Sequence, residues 1–299
     1  MLTKGDLVYF GLPDPGTGFD GGFRVLDAER TSTGEPGAFL LCENLIGRDR
    51  THGLCFLDQA KPEGNRYADS DARRWCQRFA RERFTPQEQA AMLPTFQSDP
   101  PYTKLHRWEL LGGKTRVGQC PFVAAEGILD GDRAFLLSVQ EADCPDYGFS
   151  DEASRIAGFG GRAAAWWLRS PHSEDFPIDV GLVFFNGWLL DFTENRDSVF
   201  GVAPACMRPA FNLDLTRVSA MEQLRTAGGA REWVLRLEGE DEEAFREKLG
   251  RYPRSVRGTI RRRKEPSGPA RFVQLLGLTV FLKIVDLVRA AKGRDPGAE

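Results

Sequence analysis

The segment Trp166-Trp167-Leu168-Arg169-Ser170-Pro171, followed later by Met207-Arg208-Pro209-Ala210-Phe211-Asn212-Leu213, constrains the fold more than any other part of this chain. Between the two, Asn186-Gly187 separates the apolar runs Ile178 to Phe184 and Trp188 to Phe192. Asn-Gly accepts the positive φ angles of a type I′ turn, so a hairpin with a two-residue loop is expected. Such a loop places Phe185 opposite Trp188 and Val183 opposite Leu190, pairing large apolar side chains on one face. The tryptophan pair and the arginine-proline segment then read as neighbouring pieces of one β platform. Adjacent strand residues point to opposite faces, so at most one of Trp166 and Trp167 can share a pocket.

With 299 residues, of which 41% are hydrophobic, the chain can form one large domain, or a domain plus an extension. Its start, Met1-Leu2-Thr3-Lys4-Gly5-Asp6, lacks the basic and apolar regions of a secretory signal, so a cytoplasmic location is expected. Six cysteines without C-x-x-C spacing then read as small buried hydrophobes, without disulfides. The net charge of −3 hides an asymmetry: residues 251–299 carry 12 Lys/Arg against 4 Asp/Glu, leaving 28 against 39 for residues 1–250. An acidic body therefore carries a basic tail. The tail can dock on its own body, stay solvated, or meet an anionic surface.

Leu7-Val8-Tyr9-Phe10, Phe23-Arg24-Val25-Leu26 and Phe39-Leu40-Leu41-Cys42 read as short strands between Gly, Pro and Asp clusters. Ala72, Trp75, Cys76, Phe79 and Ala80 recur at helical steps after a capping candidate, Ser70. Thr85-Pro86-Gln87-Glu88 is a capping box with proline at the first helical position, and opens a second helix. Phe135-Leu136-Leu137 reads as a buried strand before another capping box, Ser138 to Glu141. Asp69-Ser70-Asp71 places acids at the dipole end of the first helix. Gly158-Phe159-Gly160-Gly161 reads as a flexible connection rather than a phosphate loop. Trp233-Val234-Leu235-Arg236-Leu237 is strand-like, and Glu240-Asp241-Glu242-Glu243 starts a charged helix.

In order, Gly5 to Gly11, Arg24 to Asp27, Arg74-Trp75 with Phe79 and Phe84, Phe135 to Ser138, Trp166 to Pro171 and Arg208-Pro209-Ala210 resemble the bacterial DUF6273 family across roughly residues 5–215. That family is itself similar to the C-type lectin-like fold shared with formylglycine-generating enzymes. The resemblance implies an α+β fold: a C-type lectin-like mixed sheet with two flanking helices, here with a C-terminal helical extension. It implies no activity. Where family members usually read Gly-Val-Arg-Pro-Ala, this chain has Cys206-Met207-Arg208-Pro209-Ala210, a larger residue in place of a glycine.

Enzyme readings find little support. Gly113-Lys114-Thr115 ends like a P-loop, but the first glycine would fall at Trp108. His52, His106 and His172 are scattered, with no zinc spacing, so neither a metal nor a cofactor is expected. Formylglycine-generating chemistry needs two cysteines at one copper site, and Cys206 has no matching motif. The Glu-Pro-Asn or Gln-Pro-Asp and Trp-Asn-Asp calcium ligands of sugar-binding lectins do not occur.

The expectation is a non-catalytic binding module whose loops meet a protein or a polar small molecule, with nucleic acid not expected. Candidate ligand-binding residues are Trp167, Arg169, His172, Glu174, Asp175, Asn195, Arg196, Asp197 and Arg208, around loops that a sheet would hold in place. Arg169 and Arg208 sit among apolar residues, where a buried guanidinium must be paired, and so should brace carbonyls or a carboxylate. The boundaries read as a domain over 1–215, a charged strand-helix extension over 216–250, and a basic linker with an amphipathic C-terminal helix over 251–299. Within that tail, Arg261-Arg262-Arg263-Lys264 precedes the apolar run Phe272 to Val288, too short at about 25 Å to span a bilayer readily. Packing on protein and peripheral membrane contact through 261–288 both stay open, as does an enzyme of formylglycine-generating type.

Overall fold

The computed structural model describes residues 1–48, 54, 56, 65–109, 115–172, 179–193, 205–227 and 230–252. In chain order these form β1 (Leu7–Tyr9), β2 (Gly22–Asp27), β3 (Ala38–Cys42), α1 (Asp71–Glu82), α2 (Pro86–Ala91), β4 (Met92–Leu93), β5 (Thr95–Asp99), β6 (Tyr102–Glu109), β7 (Thr115–Phe122) and β8 (Ala125–Asp132). There follow α3 (Val139–Ala142), α4 (Glu152–Arg155), β9 (Ala157–Phe159), β10 (Arg162–Ala164), β11 (Trp166–Pro171), β12 (Asp179–Val183), β13 (Leu189–Thr193), β14 (Ala210–Leu213), β15 (Val218–Ala227), β16 (Ala230–Leu237) and α5 (Glu242–Arg251). The fold class is α+β. One compact unit holds Met1–Tyr102 and Pro121–Arg261; in a second, the described part is the β6–β7 ribbon over Thr103–Glu109 and Thr115–Cys120.

The main sheet of the first unit runs β15-β16-β1-β2-β3-β14-β4. It is mixed: β1 pairs in parallel with β16, Leu7 opposite Glu232, and its other neighbours are antiparallel. The stretch read as a charged extension thus supplies two strands of this sheet. It is pinned at its end, where the Tyr252 ring lies 5.2 Å from Tyr9 and its hydroxyl donates to the Gly11 carbonyl at 2.8 Å. Beside it, buried Lys248 reaches Glu240 at 2.9 Å and buried Glu88 at 3.2 Å, tying α5 to α2. A cluster of rings fills the space between α1 and the sheet, with Phe79 against Phe19 at 5.0 Å and Phe84 against Phe211 at 5.8 Å.

The helix starts follow the local chemistry. Ser70 accepts from the Arg73 N–H at 3.0 Å, and both capping boxes, Thr85 with Glu88 and Ser138 with Glu141, are closed in both directions. The α1 stripe is buried at Ala72, Cys76, Phe79 and Ala80, while Trp75 stays half-buried.

Several expectations need correcting. The hairpin at Asn186-Gly187 exists, but only Gly187 has positive φ, +86°, and its N–H donates to the Phe184 carbonyl. This is a type I turn closed by a glycine bulge, which lengthens the loop and shifts the pairing by one: Val183 faces Leu189, not Leu190. The two-residue I′ geometry occurs instead at Gly160-Gly161, with φ of +56° and +77° between paired Phe159 and Arg162. That stretch is therefore an ordered hairpin, not a flexible connection. Phe135-Leu136-Leu137 is buried but is not a strand, because its backbone groups go to three different partners. Phe135 bridges Ala210, the Leu136 N–H donates to the Tyr67 hydroxyl, and the Leu137 carbonyl takes the Arg169 N–H.

The single β platform also divides. Trp166 to Pro171 lies in the three-stranded sheet β11-β12-β13, whereas Ala210 to Leu213 lies in the main sheet. Backbone bonds still join the two, through a parallel bridge between Trp166 and Cys206 and from the Trp167 N–H to the Cys206 carbonyl at 3.0 Å. No described non-glycine residue has positive φ, so Cys206 occupies its usual-glycine position without backbone strain.

Candidate functional site

Strand β11 carries Arg169 into the protein with no exposed surface. Its guanidinium Nε and Nη2 donate to the two Asp99 oxygens at 2.9 and 2.7 Å, and Nη1 and Nη2 donate to the two Glu141 oxygens at 2.7 and 2.9 Å. The fifth donor, on Nη1, reaches the Leu136 carbonyl at 2.7 Å. All five N–H groups are thus used, as a buried guanidinium requires. Against the cost of burial, Glu141 and Asp99 hold Arg169 more firmly protonated than a free guanidinium. Burial pushes the Asp99 carboxyl above the usual carboxylate range, with help from the Glu141 charge and against the pull of Arg169.

Above this network lies a cleft of about 220 Å³, whose walls include Asp99, Glu141, Gln97, Ser138, Cys144 and Tyr147. At roughly 30 Å³ per water, it could hold about seven waters' worth of ligand. One guanidinium backs two carboxylates, so the floor carries an excess of negative charge. Gln97 steadies it by donating to Glu141 at 3.1 Å, and the Ser32 hydroxyl donates to the Gln97 carbonyl oxygen at 3.2 Å. The Tyr147 phenol is pushed up to about 12 by burial and by Glu141 and Cys144, and so stays a hydroxyl donor. Tyr147 itself packs edge-on against Phe39 at 5.2 Å.

The residues singled out from the sequence are not brought together. Arg169 lies beneath the cleft. Trp167 is buried, donates its indole N–H to the Leu54 carbonyl at 2.7 Å and packs against Phe56. His172 is buried beside Phe122, with ring centroids 5.8 Å apart. Arg208 is buried against the Trp166 ring, 4.9 Å from its centroid, and donates to the Cys42 carbonyl at 2.9 Å. Burial, aided by the Arg24 charge, pulls Arg208 down to about 10. None of these three lines the cleft. Glu174, Asp175, Asn195, Arg196 and Asp197 lie outside the described residues, as do the basic cluster at 261–264 and the expected helix of the tail.

Nothing adjacent in sequence marks Asp99, Gln97 or Tyr147 as site residues, and the spacing of Glu141 from Ser138 points only to a cap. Glu141 is a cap, but one carboxylate serves both: Oε2 takes the Ser138 N–H at 2.8 Å and the Arg169 guanidinium. The thiol on the cleft wall is Cys144, which is half-buried; Cys42, Cys76 and Cys206 lie deeper. Burial pushes Cys206 and Cys76 up to about 12 and Cys42 well up. Among the described residues no group of three or more His, Cys, Asp or Glu is placed to hold a metal ion, and no helix is long and apolar enough to cross a membrane.

Residues 39–215 match the family described as Domain of unknown function (DUF6273). No curated protein matches the chain, and no solved structure does.

Proposed function

The chain belongs to the DUF6273 family, itself of unknown function, and we propose that it is a recognition module that takes up a small polar ligand without transforming it, in the cleft over Arg169. The observation that carries this reading is the pairing of Asp99 and Glu141 through one buried guanidinium under a concave opening. Glu141 already accepts from Ser138, Gln97 and Arg169, so the preorganised acceptor with a lone pair to spare is Asp99 Oδ2, which can take a donor without paying to order its side chain. The same pairing disfavours general acid-base work, since neither carboxylate can move to follow a proton, and Ser138 is committed to its helix cap. The excess negative charge favours a ligand rich in N–H or O–H donors. On this reading the sheet is a lectin-like scaffold for the cleft. A thiol enzyme of formylglycine-generating type has less support, given the burial of Cys206. Peripheral membrane contact through 261–288 would be an additional property of the tail.

The test is a nuclear magnetic resonance titration with glucose, succinate and putrescine as probes. Glucose or putrescine should shift the Gln97, Ser138 and Tyr147 amides at millimolar concentration, and Gln140→Trp at the exposed rim should abolish the shifts. Shifts confined to other residues, or none at all, would refute the cleft as the binding site.

A further inference from the structure

The crest of α1 presents a feature that the cleft reading does not absorb. Arg74, Arg78 and Arg81 fall at steps of four and three, on one exposed face spanning about 10 Å of helix. Arginines on the flanks of this helix are neutralised: Arg73 takes Asp132 at 2.8 Å, and Arg83 takes Asp14 at 2.6 Å. Arg74 folds back onto Asp71 and the Asp69 carbonyl. Arg78 and Arg81 have no carboxylate partner among the described residues, although exposed Glu82 lies one turn beyond Arg78, so the face carries a net positive rather than an unbroken positive charge. Next to them Trp75 is only half-buried; its ring stacks on Phe79 at 5.1 Å, while its indole N–H makes no hydrogen bond among the described residues.

We propose that this face of α1, centred on Arg78 and Arg81 and bordered by Trp75, is a docking surface for an acidic segment of a partner protein. Charge complementarity argues for such an occupant. Tryptophan and arginine are also the side chains that most often anchor protein interfaces, since each offers wide contact area with fixed donors. A nucleic acid fits less well. Three arginines neutralise few phosphates, and residues 1–250, with 28 Lys/Arg against 39 Asp/Glu, repel a long polyanion. A short acidic segment needs only two or three matching charges. The dipole of α1 accounts for a cation at Arg81 in the last turn, but not for Arg78 in the middle of the helix.

The experiment uses the full chain, with a fluorescent Glu-rich peptide carrying one tryptophan as the probe, at low salt and at about 0.15 M salt. Wild type should bind it, more weakly at the higher salt. Arg78→Glu with Arg81→Glu should lose at least about tenfold in affinity and gain binding to a Lys-rich peptide of the same design. Circular dichroism should show the same helix content and only a small fall in melting temperature, since the substituted positions are exposed. Equal affinity in the two proteins, or no binding by wild type, would overturn the proposal. So would preferential capture of an oligonucleotide or of anionic vesicles through the same two arginines.

Discussion

Replacing Arg169 by methionine keeps the length and apolar stem of the side chain and removes its five donors. Two buried carboxylates, 5% and 7% exposed, then lose their cation together. Leaving a buried partner uncompensated costs about 3–5 kcal/mol, and here one change strands two acids. For a domain of this size each kcal/mol moves the melting temperature by about 2–4 °C, so the midpoint should fall by roughly 6–20 °C at pH 7. The pH dependence gives a second reading. Asp99 already titrates above the usual range, and the stability linked to such a group is full at low pH and falls as pH rises through the raised value. Loss of the guanidinium removes the charge that opposes burial at Asp99, so the deficit of Arg169→Met should shrink as pH falls into the acid range. Adding Asp99→Asn and Glu141→Gln should restore most of the lost stability at pH 7. Arg169→Lys should restore only part, because an ammonium lacks the planar fork. The assay is thermal unfolding followed by circular dichroism across pH. A deficit below about 1 kcal/mol, or a triple variant no more stable than Arg169→Met, would refute the reasoning.

Gly187→Ala should destabilise by more than about 3 kcal/mol in urea, since an added Cβ would lie 1.8 Å from the Glu152 carbonyl oxygen, whereas Gly5→Ala, with similar φ but open space, should cost about 1 kcal/mol. Equal costs would contradict the close approach. The Asp6 carboxyl is held below its usual range: despite burial, which alone would raise it, Arg231, the Thr3 N–H and the Trp233 indole stabilise its charge. Its contribution is therefore present above the ordinary value of about 3.9 and is lost as pH falls through the lowered one, so Asp6→Asn should flatten stability against pH in that acid window. A fragment of residues 39–215 should fail to give a dispersed amide spectrum, because it lacks β1, β2, β15 and β16 of the main sheet. A folded fragment would show that the flanking strands are dispensable.

What could be read from the sequence was chiefly what neighbouring residues decide. Ser70, Thr85 and Ser138 cap helices because the acceptor and the N–H lie three positions apart. The Asn186-Gly187 hairpin was legible as a hairpin, but its register depends on one backbone angle at Asn186, which propensity does not determine. The cleft was not legible. Arg169 meets Asp99 from 70 positions away and Glu141 from 28, and nothing in the spacing selects those acids over the other Asp and Glu residues. Phe135 to Leu137 shows the same limit, since its apolar run reports burial correctly while its hydrogen bonds are set by distant Ala210, Tyr67 and Arg169.

The parallel pairing of β1 with β16 has a consequence for synthesis. Leu7 waits for Glu232, 225 positions later, so the ribosome must make nearly the whole domain before that strand edge is covered. A nascent chain would carry the apolar edge Leu7-Val8-Tyr9 unprotected for tens of seconds at usual elongation rates. Chaperone occupancy of the emerging chain should therefore persist until β16 clears the exit tunnel, and then end abruptly.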